Sequence, residues 1–312
     1  MMNKVKETSV FLQITFMAEK RKIWHWLVLA LLSLIWGTSY ILMKKGLESF
    51  SSLQVGSLRI LITFLCLLPI ALKNIRKLNR SNILSIFLIG LMGSAIPAFL
   101  FPLAETKISS SLAGMLNALS PVFTLLLGIF VYKRQVIKTQ VAGILLGLIG
   151  AAGLLYNGSL TINYYGLYVV LATLMYGFSS NEVSKVKDIN GIQIAALSFF
   201  LTSPIAIIYL SFSDMSAAFQ TQNWVMNLSY IAILAIFGSA IALMLFYILI
   251  RDTSPVFAAT VTYFIPIIAT IWGFFDNEQF SYSMLISVSV IFVGVYIINR
   301  PAFLMRMVRR NE

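Results

Sequence analysis

Ten long apolar runs follow one another along this chain, and they limit its fold more than any other feature. They cover residues 24–43, 54–72, 82–104, 109–132, 139–156, 163–181, 191–212, 225–250, 255–275 and 282–299. A helix that spans a bilayer needs about 20 predominantly apolar residues, so these runs leave loops of only a few residues. The pattern predicts an all-α, polytopic integral membrane protein with ten transmembrane helices.

The composition excludes several classes of function. Of the 312 residues, 59% are hydrophobic and 11% are charged, whereas a soluble domain carries about 25% charged residues. His25 and Cys66 are the only histidine and cysteine in the sequence, so we expect no disulfide, no metal site and no redox centre. We also expect no catalytic residues and no cofactor.

The basic residues predict the orientation. With the N-terminus inside, nineteen lysines and arginines lie on the inner side, against three (Lys44, Lys45 and Lys107) on the outer side. This distribution satisfies the positive-inside rule, and it makes the tails 1–23 and 301–312 cytoplasmic. The net charge of +12 therefore reports topology and does not indicate a nucleic-acid partner. Met17 is an alternative start.

The sequence also contains an internal repeat. Residues 93–96 (Gly-Ser-Ala-Ile) recur as residues 238–241, and Pro121 matches Pro266 at the same offset of 145. The two units, 24–156 and 163–300, each hold five predicted spans. Because five is odd, the second unit enters the membrane from the opposite side. Such inverted repeats are typical of secondary transporters, whose substrate site lies between the halves.

These residues resemble the drug/metabolite transporter superfamily, in its ten-helix EamA-type branch. The resemblance covers roughly residues 24–300, and its carriers are the stretch 36–39 (Trp-Gly-Thr-Ser), Arg59, the two Pro-containing pairs 120–121 and 265–266, and the acidic turn 276–278. Similar proteins carry a glutamate after the fourth span of each repeat. Glu278 fits this pattern in the second half, whereas Lys133 stands at that position in the first.

The resemblance implies a carrier in the cytoplasmic (inner) membrane of a prokaryote. It implies alternating access and a small organic solute as substrate, with export of amino acids or related metabolites. The expected partners are that solute and the lipid bilayer, and the sequence leaves a homodimer open.

Shared helical faces predict the side chains that line the pathway. They are Trp36, Tyr40, Asn117, Tyr176, Ser180, Thr262 and Tyr263. Asn117 also fits a hydrogen bond between helices, and core packing is the alternative for the tyrosines. Pro121 and Pro266 are predicted to kink their helices in mid-span and to free a carbonyl, as a hinge or as part of the cavity wall.

Two charged residues are candidates for a coupling or charge role. Glu182 is the best candidate for a buried acid, although a simple interfacial pair with Lys185 explains it better. Arg59 could attract an anionic substrate, but we interpret it first as a side chain that snorkels to the outer interface.

Two other functions remain open from the sequence. A lipid flippase could use the same scaffold, with a lateral opening lined by Arg or Lys. A membrane-embedded lipid-modifying enzyme would need a cluster of His, Asp or Glu residues at an interface, and the sequence shows none.

Overall fold

The computed structural model describes residues 23–156 and 163–299, so the predicted tails and Met17 lie outside the described residues. The described residues form ten long helical segments, whose ends fall within a few residues of the predicted runs, and one short helix, Ser216–Phe219, that precedes the eighth of them. In chain order they are α1 (Ile23–Leu47), α2 (Ser52–Lys77), α3 (Ile83–Glu105), α4 (Ser110–Phe130), α5 (Lys138–Tyr156), α6 (Tyr164–Lys185), α7 (Gly191–Phe212), α8 (Trp224–Asp252), α9 (Pro255–Phe275) and α10 (Tyr282–Asn299).

Most of these helices have the length and composition of membrane spans. Within the described residues, eight are long and apolar enough to cross a bilayer, and the apolar stretch of α10, Tyr282–Ile298, is shorter. Helix α6 is long enough to cross a bilayer but is less apolar than these eight helices. Its polar stretch from Ser179 to Glu182 is buried, because polar groups in a spanning helix are tolerated where they face other helices.

The two halves pack against each other reciprocally through their first helices. Gly37 of α1 lies against Ile268 of α9, and Gly177 of α6 lies against Phe123 of α4, where an added Cβ would stand 2.8 Å from the backbone. Ile268 and Phe123 each follow the repeated proline by two residues. The first helix of each half therefore contacts the fourth helix of the other half at equivalent positions.

The repeated Gly-Ser-Ala-Ile segments make a second reciprocal contact. Gly93 of α3 packs against Ser179 of α6, and Gly238 of α8 packs against Ser39 of α1. Reciprocal contacts of this kind are those of a two-fold axis. Since each half has five helices, the axis relates two halves of opposite direction, as the repeat predicts.

The same segments lie in widened helical turns. Leu91–Ala95 of α3 and Leu234–Ile241 of α8 are π-helical, a feature that is frequent at functional sites. Within the second turn, the Gly238 carbonyl accepts a hydrogen bond of 2.8 Å from the indole Nε1 of Trp36. The repeat motif thus sets the close contact between α8 and α1.

The repeated prolines interrupt their helices instead of only kinking them. In α4 one helix ends at Asn117 and the next begins at Ser120, so that Pro121 lies in its first turn. The Asn117 carbonyl, which a residue with an N–H at 121 would bond, accepts the Ser120 hydroxyl at 2.8 Å instead. In α9 the 3₁₀ turn Thr260–Tyr263 precedes Pro266.

The fifth helices of the two halves pack together. Gly143 of α5 lies against the backbone of Gly294 in α10, where an added Cβ would stand 2.5 Å from the Gly294 oxygen. Such close backbone contact is what small residues permit between membrane helices. Among the described residues, none from α5 or α10 lines the central cavity, so this pair supports the other eight helices from one side.

Candidate substrate cavity

A central cavity lies where the two halves meet. It encloses about 910 Å³, including space open to solvent, and its walls come from both halves. The first three helices of each half and the broken centres of α4 and α9 contribute residues, so the interruptions at the prolines place backbone and polar side chains in the wall.

Six of the seven predicted pathway residues line this cavity. They are Trp36, Tyr40, Asn117, Tyr176, Ser180 and Thr262. Asn117 is 5% exposed, and its Oδ1 accepts the Ser120 hydroxyl at 3.1 Å, across the break in its own helix. The amide also interacts with the Tyr40 side chain of α1, so Asn117 stands at the cavity wall and links two helices.

The placement of Tyr263 in the cavity is wrong. Tyr263 is absent from the described cavity lining, and its ring packs edge-on against Phe292 of α10 with centroids 6.3 Å apart. Tyr263 directly follows Thr262, and successive residues of a helix point about 100–120° apart. Thr262 and Tyr263 therefore face different directions.

Aromatic rings form much of the wall. Trp36 packs edge-on to Phe246 with centroids 5.0 Å apart, and Tyr40 packs edge-on to Phe101 at 5.8 Å. Phe101 in turn stacks on Tyr176, with centroids 5.8 Å apart and an interplanar angle of 21°. Phe101 and Phe246 are equivalent in the repeat. The rings give the cavity a flat apolar surface drawn from both halves.

Arg59 lies in the cavity wall, so the interpretation of a side chain that snorkels to the interface is wrong. Its Nε donates a hydrogen bond of 2.7 Å to the Ser239 hydroxyl in α8, and its charge acts on the Tyr40 and Tyr176 phenols. The Gly-Ser-Ala-Ile repeat supplies the Ser239 partner. A guanidinium held at a cavity wall is suited to binding carboxylate groups.

Glu182 lies outside the described cavity lining, at the end of α6. It is 4% exposed, and its two oxygens accept hydrogen bonds from the Ser85 hydroxyl at 2.6 Å, the Tyr132 hydroxyl at 2.6 Å and Lys185 Nζ at 3.3 Å. Glu182 is therefore a buried acid that also pairs with Lys185, so both alternatives from the sequence apply to it. Its partners tie α6 to α3 and to the segment after α4.

A cluster of charges closes the end of the molecule that the charge pattern predicts to be outside. We call it the Glu278 cluster, and it comprises Lys44, Lys45, Ser110, Ser111, Asp276 and Glu278. Lys44 Nζ stands 2.7 Å from Glu278 and 2.6 Å from Asp276. The two Glu278 oxygens also accept the backbone N–H groups of Ser110 and Ser111, at 2.9 and 3.0 Å, and both serine hydroxyls.

The acids of this cluster are stabilised in their ionised form. Burial alone would raise the pKa of Glu278, but the hydrogen bonds from Lys44, Ser111 and Ser110 outweigh it and hold the pKa below its usual value. Burial likewise opposes ionisation of Asp276, and Lys44 and Lys45 lower its pKa. The cluster thus joins α1, the start of α4 and the loop after α9.

Arg134, and not Lys133, is the structural equivalent of Glu278 in the first half. Lys133 and Asn277 both have positive φ angles, of 53° and 58°, and each is followed by a backbone N–H that bonds a glycine carbonyl of the preceding helix at 2.8 Å. Arg134 donates to the Ser184 hydroxyl at 3.1 Å. The constant offset of 145 residues pairs Glu278 with Lys133, because the loop after α4 is one residue longer than the loop after α9.

No three His, Cys, Asp or Glu residues lie together as a metal site within residues 23–156 and 163–299. The chemistry of the cavity is accordingly that of rings, hydroxyls, one amide and one guanidinium. These groups bind solutes by stacking and hydrogen bonding.

The chain is similar to known membrane transporters. The model of the EamA-like transporter family matches residues 23–156 and 164–300. An uncharacterized inner membrane transporter of Escherichia coli K12, YedA, is 28% identical over 247 residues, which are 78% of this chain and 79% of that protein. The S-adenosylmethionine/S-adenosylhomocysteine transporter of Chlamydia trachomatis serovar L2 is 24% identical over 294 residues, 89% of this chain and 90% of its own length.

A solved crystal structure has the same fold. It covers 94% of this chain and 100% of its own, with a TM-score of 0.63 and 16% sequence identity. At this identity the likeness concerns the fold alone.

Proposed function

The chain belongs to the EamA-like transporter family, and from this we propose that it exports amino acids or related metabolites by alternating access. That it is a multi-spanning membrane transporter, and not an enzyme, follows from the family and from its relatives. The solute, the direction and the mechanism are our proposal. The observation that carries it is the cavity between two inverted halves, with Arg59 in a wall of aromatic rings.

The inverted halves support alternating access. The first helix of each half packs against the third and fourth helices of the other, at equivalent residues. Two similar halves in opposite directions have two related packings, and exchange between them exposes a site at their interface to each side in turn. The breaks in α4 and α9 lie at this interface, which favours Pro121 and Pro266 as hinges.

The cavity wall favours a carboxylate solute with an apolar body. Among the described residues, Arg59 has one hydrogen-bonded nitrogen, Nε, on Ser239, so the two terminal nitrogens are available to a carboxylate in the bidentate geometry that guanidinium groups favour. Tyr40, Phe101 and Tyr176 form a continuous ring surface beside it. Such rings bind apolar and flat groups. An amino acid combines both features.

A second candidate substrate is an amino acid that carries a nucleoside, of the S-adenosylmethionine type. The Chlamydia relative is named as a transporter of this substrate, and this chain matches 90% of its length. The stacked pair Phe101–Tyr176 offers a flat face for a purine. This molecule also has the carboxylate that Arg59 would bind.

Flux measurements in proteoliposomes test the proposal. The panel comprises L-phenylalanine, L-leucine, S-adenosylmethionine and L-phenylalaninamide, in which the carboxylate is replaced by an amide. We expect saturable flux of at least one carboxylate solute, a preference for L-phenylalanine over its amide, and loss of that preference in Arg59→Gln. Arg59→Lys should raise KM about tenfold, because it keeps the charge without the planar fork.

The matched control is on α6, the helix that carries the cavity residue Tyr176. Tyr168→Phe changes an exposed tyrosine of α6 outside the described cavity lining and should leave KM unchanged. Absence of saturable flux for every panel member, with insertion verified, would refute the proposal. Scrambling of a fluorescent phospholipid in its place would support the flippase.

A further inference from the structure

Glu105 is a buried acid whose carboxylate has no hydrogen-bond donor among the described residues. It ends α3 and is 7% exposed, and neither Oε1 nor Oε2 has a partner. By contrast, Glu182 accepts hydrogen bonds from three side chains, and Glu278 accepts five. In the sequence, Glu105 directly follows the third apolar run, 82–104, and this position alone gives no reason to single it out.

Glu105 stands on the cavity-lining face of α3. Ser94, Ala98 and Phe101 all line the cavity, and the steps from 94 to 98, 101 and 105 are four, three and four residues. Residues at such spacings share one face of a helix. Glu105 therefore lies one turn beyond the Phe101 ring, between the cavity and the Glu278 cluster.

The charges that act on Glu105 come from three other segments. They are Lys44 of α1, Arg59 of α2 and Glu278 of the loop after α9, and the Tyr40 phenol of α1 also acts on it. Lys44 is already bound by two carboxylates, and Arg59 Nε is bound by Ser239. No described cation thus makes an ion pair with Glu105.

An ionised carboxylate without a partner is expensive to bury, whereas the protonated carboxyl is not. Closure of the Glu278 cluster over Glu105 is therefore favourable only when the carboxylate has gained a positive partner. A proton satisfies this requirement, and so does the ammonium group of an amino acid whose carboxylate lies on Arg59.

From this arrangement we infer that Glu105 is the proton-binding site of the transport cycle and that it exchanges one inward proton for one outward solute. When the Glu278 cluster opens, one Glu105 oxygen binds a proton from water on the predicted outer side. When the cavity opens to the other side, the O–H bond breaks and the proton passes to inner water. The solute ammonium group then replaces it. The inference rests on the proposed export of amino acids.

Infrared spectroscopy tests the proton site without any solute. Protein in proteoliposomes is titrated through the neutral range, and the carbonyl band of a protonated carboxyl is followed. We expect this band in the wild type and in Asp188→Asn, an exposed acid far along the chain, and we expect its loss in Glu105→Gln. Persistence of the band in Glu105→Gln, or its absence from the wild type, overturns the inference.

Transport of radiolabelled L-phenylalanine tests the coupling. When the pH is about one unit lower outside than inside, one-to-one exchange can drive up to about tenfold accumulation of the solute outside. We expect this pH difference to accelerate efflux in the wild type and in Glu105→Asp. Glu105→Gln, a neutral residue of the same shape, should lose the response to the pH difference. Its solute–solute exchange should continue with a raised KM, because the solute ammonium group loses its charged partner.

The two experiments separate the inference from the proposed function. If the wild type carries L-phenylalanine and Glu105→Gln still responds to the pH difference, the inference is wrong and the function stands. If the wild type carries no panel solute, the function is wrong, and the infrared band alone decides whether Glu105 binds a proton near neutral pH.

Discussion

Replacement of Glu278 should open the end of the molecule that it closes. Its side chain is 4% exposed, and it joins Lys44 of α1 to the backbone and hydroxyls of Ser110 and Ser111 in α4. Glu278→Gln keeps the shape of the side chain and removes its charge. The new amide N–H₂ group then faces the donors that bind Glu278, which are Lys44 and the N–H groups of Ser110 and Ser111. We therefore expect the equilibrium to shift toward the state in which α1 and α4 separate at this end.

The magnitude follows from the partners that remain. Breaking a buried ion pair costs about 3–5 kcal/mol, but Lys44 keeps Asp276 at 2.6 Å and is itself 31% exposed. The loss should therefore be nearer that of one charged hydrogen bond, about 2 kcal/mol. That energy corresponds to about a 30-fold change in the population of the open state.

Labelling of a cysteine in the cavity measures this population. Cys66 is the only cysteine in the sequence, so a Cys66→Ala background allows a single reporter. Met43 lines the cavity and is 2% exposed. In Met43→Cys, a membrane-impermeant thiol reagent applied from the predicted outer side should react about 30-fold faster when Glu278→Gln is present.

Glu48→Gln is the matched control. Glu48 also lies in the loop region after α1, but its side chain is 51% exposed and it pairs with Lys45 at 2.9 Å. An exposed pair of this kind contributes about 1 kcal/mol or less, so the reaction rate should change less than about fivefold. Equal rates in the two variants would refute the assignment of Glu278 as the closing group.

Three further predictions concern the cluster, the cavity and the packing. The pKa values of Glu278 and Asp276 are lowered, so their ionised carboxylates stabilise the closed end at any pH above the usual carboxyl pKa of about 4. This stabilisation is lost as the pH falls through the lowered pKa values. The labelling rates of Glu278→Gln and of the protein with the unchanged cluster should therefore become equal only at such acid pH. Tyr176→Ala should raise KM about tenfold, since an aromatic contact contributes about 1.5 kcal/mol, while Tyr168→Ala should not; equal KM values would contradict the aromatic wall. Gly177→Ala should destabilise the fold by about 1–3 kcal/mol, because its Cβ meets backbone 2.8 Å away; an unchanged melting temperature would contradict this.

The fold could be predicted because the bilayer and the duplication both leave marks in the sequence. Span length is set by bilayer thickness, so the apolar runs mark the helices to within a few residues. Reciprocal contacts need small residues at equivalent positions, and Gly93 and Gly238 recur for that reason. The repeated prolines were also found, although their effect, a break in the helix, exceeds the predicted kink.

The cavity could be predicted only in part, because a sequence gives helical faces under the assumption of regular geometry. Tyr263 was assigned to the cavity together with its neighbour Thr262, whereas its ring packs against Phe292 of α10. Arg59 was misjudged for another reason. Depth along a span can be counted from its end, but whether that end meets lipid, water or another segment depends on tertiary packing. Glu105 shows the same effect, because it ends a span and is nevertheless 7% exposed.

The two ends of the molecule are closed by different chemistry, and this breaks the symmetry of the repeat. At one end a carboxylate binds the N-terminal N–H groups of α4, an arrangement that the helix dipole favours. The equivalent of Ser110 in α9 is Pro255, which has no N–H, and the equivalent of Glu278 is Arg134, which donates to Ser184. A carboxylate there would lack the backbone donor that Ser110 provides at the other end, and this is consistent with an arginine at position 134. One end is therefore held by a cluster in which Glu278 pairs with Lys44, and the other by the Arg134 hydrogen bond and the Glu182–Lys185 pair. We expect this difference in chemistry to give the two closed states different energies, with solute binding or protonation supplying the difference.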